Sequence, residues 1–129
     1  PAACIIDCEG SADDHHRGFT FSSEEGPDAV VEGLTVRGGY MSWSGGILIE
    51  GYCTPTIRGC RLIGNTGTDG AGLCVKDAAT IEDCWFEGNV SLGRGGGITV
   101  AMNWGYAPTI TGCTFVDNTA GEYGGAFRC

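Results

Sequence analysis

Apolar residues in this chain fall into two short phrases that alternate along its length. One phrase sets apolar residues on either side of an outward position and is led by glycine: Ile47-Leu48-Ile49, Leu73-Cys74-Val75, Ile98-Thr99-Val100 and Phe127-Arg128-Cys129. The other reads "PTIRGCRL", "ATIEDCWF" and "PTITGCTF", with an isoleucine, then a cysteine, then Leu62, Phe86 or Phe115. The first phrase recurs at steps of 26, 25 and 29 residues, and Ile57, Ile81 and Ile110 follow at steps of 24 and 29. Weaker copies lie upstream in "RGFTF", "VVEGLTV" and "CIIDCEG". Self-similarity at a fixed period outranks local propensity, because each repeat is one structural unit that buries its apolar face only against its neighbours.

Within each unit the alternation has period two, which is the pattern of a strand with one buried face. Strict alternation would put Ile110 and Cys113 on opposite faces. Gly33, Gly59, Asp83 and Gly112 occupy one equivalent place between them. Glycine accepts positive φ freely, and aspartate tolerates it better than most residues. A bend there returns the cysteine to the interior. No apolar stripe of period 3.6 appears, so helix is not expected. The pattern predicts an all-β fold: a parallel solenoid of about five coils with three short strands per coil, forming a single domain over residues 1–129 with incomplete coils at both ends.

Stacking the units predicts the core as columns. These are Phe19, Ile47, Leu73, Ile98, Phe127; then Phe21, Ile49, Val75, Val100, Cys129; then Val31, Ile57, Ile81, Ile110; and Val36, Leu62, Phe86, Phe115. A further column holds Cys8, Leu34, Cys60, Cys84 and Cys113. A leucine among them marks the place as apolar, and buried free cysteine behaves as a small apolar body. Asn65, Asn89 and Asn118 fall just after the third strand, where stacked amides bond along a column. Asn89-Val90-Ser91 matches a glycosylation sequon, but an inward asparagine is closed to it. Outside, Glu32, Arg58 and Glu82 alternate in sign on neighbouring strands.

The phrases "GGGI" and "PTITGC" and the trailing asparagines carry a resemblance. The chain resembles the right-handed parallel β-helix repeat proteins of the pectin-lyase-like class, most tightly over Gly45 to Gly125. The resemblance implies the handedness of the coil and a bacterial secreted or cell-surface setting, with this chain a piece of something longer. It does not fix an activity, because one fold hosts many functions. The catalytic motifs of pectate lyases and polygalacturonases are not found.

Composition narrows the function. Asp and Glu number 16 against 7 Lys and Arg, a formal charge of -9. That disfavours nucleic acid and anionic membrane surfaces, which attract basic patches. The apolar runs are too short to span a bilayer. The cysteines show no paired spacing of a metal site, and no metal or cofactor is expected. "DDHHRG", Asp13 to Gly18, reads as a solvated turn. Acids are scattered over the turns, without the carboxylate pair that a glycosidase needs.

The turns after the first strand differ in length. "KDAA", Lys76 to Ala79, is short, and its neighbours carry Tyr52 on one side and Trp104 and Tyr106 on the other. This predicts a notch with aromatic walls and with Lys76 and Asp77 at its floor, suited to a sugar ring. Trp85 beside Arg61 is a second such place. The expected function is a non-catalytic secreted or cell-surface module, acting as scaffold or binding a glycan or partner. The alternative is a polysaccharide lyase or glycoside hydrolase. Apolar coil ends such as Ile110 and Phe115 predict an end-to-end homodimer.

Overall fold

A computed structural model describes residues 4–101 and 105–129. Every strand pair in the four sheets is parallel, and strands distant in sequence lie side by side. The chain is therefore a β-solenoid. The first-strand sheet stacks Phe19–Phe21, Ile47–Ile49, Leu73–Val75, Ile98–Val100 and Phe127–Arg128. The second stacks Val30–Glu32, Thr56–Arg58, Thr80–Glu82 and Thr109–Thr111. The third stacks Cys4–Asp7, Leu34–Arg37, Arg61–Ile63, Trp85–Glu87 and Thr114–Val116.

The register makes columns of the repeats. Ile57, Ile81 and Ile110 are direct partners, as are Leu62, Phe86 and Phe115. Phe86 and Phe115 stack with centroids 5.1 Å apart and planes 12° from parallel. Ile47, Ile49, Ile57, Leu62, Leu73, Ile81, Phe86 and Ile98 are fully buried. Each side chain of this kind contributes roughly 1.5–3 kcal/mol by leaving water. The bend between second and third strands takes positive φ at all four equivalent residues: Gly33 (69°), Gly59 (59°), Asp83 (51°) and Gly112 (63°).

The three asparagines form a ladder. Asn65 Nδ2 donates to Asn89 Oδ1 at 3.1 Å, and Asn89 Nδ2 donates to Asn118 Oδ1 at 2.9 Å. Each Nδ2 also donates to a carbonyl one coil back, at Val36, Leu62 and Phe86. Just beyond the ladder the chain adds a fourth short strand to the three expected, at Thr66–Asp69, Val90–Arg94 and Thr119–Ala120. Their buried residues are Gly67 and Ser91, while Val90 and Leu92 face outward, so no inward apolar alternation marks them. The ladder fixes their register: Val90 N donates to the Asn65 carbonyl and Thr119 N to that of Asn89, both at 2.9 Å.

The first coil departs from the expected register. Cys4, not Cys8, stands beside Leu34, and Ile6 beside Val36. With Cys8 in the column, Gly10 would face Val36 and leave the stack without a side chain. Sliding the frame supplies Ile6 instead. Cys8 sits half-buried in the following turn, packed against the core, with its N–H on the Arg37 carbonyl at 2.9 Å. At the other end, first-strand pairing stops at Arg128, so Cys129 is exposed rather than stacked.

The outward face of the first-strand sheet is covered. Leu48, Cys74 and Thr99 point away from the core yet are buried. Lys76 and Glu50, two residues beyond Cys74 and Leu48, lie on the same side and pair at 2.8 Å. The Lys76 ammonium also sits 3.9 Å from the centroid of the Trp43 ring. Arg17 ties the cover down, donating from Nε to the Ser44 carbonyl at 2.6 Å and from Nη2 to that of Ser42 at 2.7 Å. Burial pushes the Cys74 thiol up to about 12.

Candidate functional site

The notch is built by three successive turns after the first strand. In the middle turn Asp77 is 4 % exposed. Its Oδ2 accepts from the backbone N–H of Cys53 at 3.3 Å, and its carbonyl accepts from Ala79 N at 3.0 Å. The carboxylate thus ties the short turn to the turn before it. Tyr52 takes positive φ (62°), a conformation uncommon outside glycine, which swings its ring out of the coil. The ring is exposed, as is that of Tyr106. Their centroids are 6.4 Å apart and their planes 85° from parallel.

Tyr52, Thr54, Asp77, Ala78 and Tyr106 line a cavity of 180 Å³. Sequence reasoning named Tyr52, Asp77 and Tyr106, and the fold brings them together. Trp104 lies outside the described residues. Lys76 is not at the floor of the notch. It turns to the opposite side, where Glu50 and the Trp43 ring hold its charge. Alternation accounts for this: Val75 points inward, so Lys76 follows Cys74 outward, and Asp77 begins the turn.

Behind the lining stands a pair that the sequence did not announce. The Cys53 thiol donates to Glu25 Oε2 at 2.8 Å, and Ser23 N donates to the same oxygen at 2.9 Å. The bond from Cys53, then that from Ser23, holds the Glu25 carboxyl below the usual carboxylate range. Burial first, and the Glu25 bond second, push the Cys53 thiol up. Glu25 precedes the tight repeats, so no matching phrase pointed to it.

Among the described lining residues Asp77 is the one carboxylate, whereas glycoside hydrolysis by the usual route needs two. The cavity is below the roughly 300–1,000 Å³ that encloses a drug-sized ligand. It offers aromatic faces and a carboxylate to part of a ligand lying across the turn.

The coil geometry has a counterpart among known families. The family model described as "Right handed beta helix region" matches residues 3–127. The chain belongs to the right-handed β-helix family. No curated protein and no solved structure matches it.

Two further places on this β-helix were flagged by sequence. Trp85 lies on the outer face of the third-strand sheet, with its Nε1 donating to Glu87 Oε2 at 2.8 Å and the Arg61 guanidinium 5.9 Å from its ring. Arg61 also reaches Glu87 at 3.8 Å, so all three groups satisfy one another on an open surface. In "DDHHRG", His16 donates from Nδ1 to the Cys8 carbonyl at 2.7 Å and meets Asp14 through Nε2 at 3.2 Å. His15 bonds through Nε2 to the Ala12 carbonyl at 3.1 Å and stacks on Tyr40 at 5.7 Å. The two rings are anchored to separate partners and do not converge on a common point. Among the described residues no helix is long and apolar enough to cross a membrane.

Proposed function

We propose that this β-helix is a non-catalytic module of a secreted or cell-surface protein, and that the notch between Tyr52 and Tyr106 receives part of a polysaccharide. The observation that carries the reading is two exposed tyrosine rings 6.4 Å apart, flanking a short turn with Asp77 set into it. Carbon-bound hydrogens of a sugar face pack on an aromatic ring, and its hydroxyls bond to nearby polar groups. The two rings already meet edge to face, an arrangement that reduces the ordering a ligand must impose on them. A glycan array probed with the full chain tests this. Tyr52→Ala or Tyr106→Ala should abolish binding with the circular dichroism unchanged. Equal binding by parent and variants would move the site elsewhere. Turnover of uronate or neutral polysaccharide that disappears in Asp77→Ala would replace the reading with an enzymatic one.

A second copy of the chain is the proposed partner at the coil face carrying Ile110, Phe115 and Phe127. Val100, Ala107, Pro108, Ile110, Phe127 and Cys129 line an apolar groove of 290 Å³ there, and Phe127 is 40 % exposed. Like face against like face closes as a two-fold dimer, whereas head-to-tail stacking would continue into a fibre. Sedimentation across a wide concentration range should give the dimer. A species that stays monomeric at high concentration would exclude it.

A further inference from the structure

The notch holds a carboxylate with spare bonding capacity. Asp77 is 4 % exposed, and its Oδ2 accepts one long bond, at 3.3 Å from Cys53 N. Its Oδ1 has no partner among the described residues, and none of their fully buried side-chain oxygens lacks one. Oδ1 therefore opens on the 180 Å³ cavity that Asp77 lines with Tyr52, Thr54, Ala78 and Tyr106. Turns of the chain itself bound this space on both sides, Tyr52 from the coil before Asp77 and Tyr106 from the coil after.

A carboxylate set this deep ordinarily has a cation beside it. No ion pair among the described residues includes Asp77. Lys76, its neighbour in the chain, is held on the other side by Glu50 and the Trp43 ring. A second carboxylate stands one residue behind. Cys53 gives its N–H to Asp77 and its thiol to Glu25 Oε2, the latter at 2.8 Å. Glu25 is likewise in no ion pair among the described residues.

The walls suit a positive charge. Aromatic faces are negative and attract cations. Tyr52 and Tyr106 stand 85° apart in plane, so two differently turned rings border one small space. A primary ammonium has three N–H donors, and Asp77 Oδ1 and the Thr54 hydroxyl are acceptors in the lining. A trimethylammonium has no N–H to give them. At a formal charge of -9 the whole chain draws a polycation and repels a polyuronate.

We propose, resting on the carbohydrate reading of this notch, that it recognises the protonated amine of an amino sugar that carries no acetyl group. The ammonium sits against Asp77, and the sugar ring lies on a tyrosine face. N-acetylation removes the charge and two of the three N–H donors, and adds bulk where the cavity is small. A uronate would bring its own carboxylate against Asp77. The notch thus selects cationic polysaccharide over neutral and over acidic polysaccharide.

Isothermal titration calorimetry of the full chain with a chitosan hexamer, in mildly acidic buffer that protonates its amines, tests this. The comparison probes are the fully N-acetylated hexamer, an oligogalacturonate and choline. The chitosan hexamer should bind at least tenfold more tightly than each. Asp77→Asn and Tyr106→Ala, with folding checked by circular dichroism, should each lower its affinity at least tenfold. Equal binding of the two hexamers, lost together in Tyr106→Ala, overturns the charge selectivity and leaves the carbohydrate reading standing. Chitosan binding that survives both substitutions is attraction by net charge alone and overturns the inference. Tighter binding of choline through the same residues overturns the inference and the carbohydrate reading together. Binding of neither hexamer overturns the inference, and the glycan array then decides whether another sugar occupies the notch. If Asp77→Asn does not fold, the two hexamers and Tyr106→Ala decide the matter.

Discussion

Asn65 donates from its side-chain Nδ2 to Oδ1 of Asn89 at 3.1 Å, and both residues are fully buried. Asn89 Oδ1 also accepts from Asn65 N at 3.0 Å, while its Nδ2 serves the Leu62 carbonyl at 2.8 Å and Asn118 Oδ1 at 2.9 Å. Asn89→Ala strands a backbone N–H and a backbone carbonyl in the core. At about 1–3 kcal/mol for each buried orphan, the loss should reach roughly 3 kcal/mol in urea denaturation. Asn89→Asp should cost more, because it keeps the acceptor, loses the donors and buries a charge. A loss below 1 kcal/mol for either would mean that the ladder is ornamental. The same burial closes the sequon: chain secreted from a glycosylating host should return its Asn89 peptide unmodified.

The cysteine column is packing in the reduced protein. Cys84→Ala removes one sulfur from a closed site and should cost about 1–2 kcal/mol, the low end of core truncations. Cys84→Asp should give no cooperative unfolding transition, since it places a carboxylate at a site only 2 % exposed within the apolar core. A bulky thiol reagent should modify Cys4 and Cys129, which are exposed, well before Cys60 and Cys84. Rapid labelling of the latter two would contradict their inward placement.

Cys74 ties stability to alkaline pH. Its folded pKa is raised to about 12 from an ordinary 9.0. Folding therefore favours the neutral thiol, and its contribution is complete below pH 9. It is lost as pH rises toward 12, because only the unfolded chain ionises in that window. The span is worth at most about 4 kcal/mol at 1.36 kcal/mol per unit. Denaturation midpoints between pH 8 and 11 should fall more steeply for the parent than for Cys74→Ala. Equal slopes would show that the thiol is solvated.

Backbones approach closely where the first-strand sheet begins. A Cβ built on Gly46 would lie 2.1 Å from the Gly72 carbonyl oxygen, and neither backbone can retreat without breaking the coil stack. Gly46→Ala should destabilise by about 3 kcal/mol or more, the scale of severe steric lesions. Gly59 has open space beside it and positive φ instead. Gly59→Ala should cost only about 1–2 kcal/mol, the strain of a left-handed residue. A reversed order in thermal denaturation would refute the stacking distances.

Much of this was legible because the repeat supplies the same evidence several times. The columns through Ile81 and Phe86, the bend at Asp83 and the asparagine ladder each follow from period-two alternation plus one recurring exception. The first coil is ambiguous in sequence because "CIIDCEG" offers cysteines in two frames, and only the demand for a side chain opposite Val36 selects Cys4. Turn length alone does not place Lys76, because consecutive residues there face opposite ways. The cover formed by Arg17, Trp43 and Lys76 was invisible. It joins residues from three coils, and charged side chains bury an outer sheet face only where all of them arrive together. The notch itself followed from comparing turn lengths, whereas Glu25 and Cys53 behind it meet through a single long-range thiol bond.

Among the described residues, each strand is hydrogen-bonded only to its counterparts one coil above and below. Stretched between its ends, such a chain has no single fracture plane. It should come apart from a free face, one coil at a time, each release paying out ~80–90 Å of slack for about 25 residues. A pulled molecule would therefore trace a staircase whose step length is the repeat of the sequence.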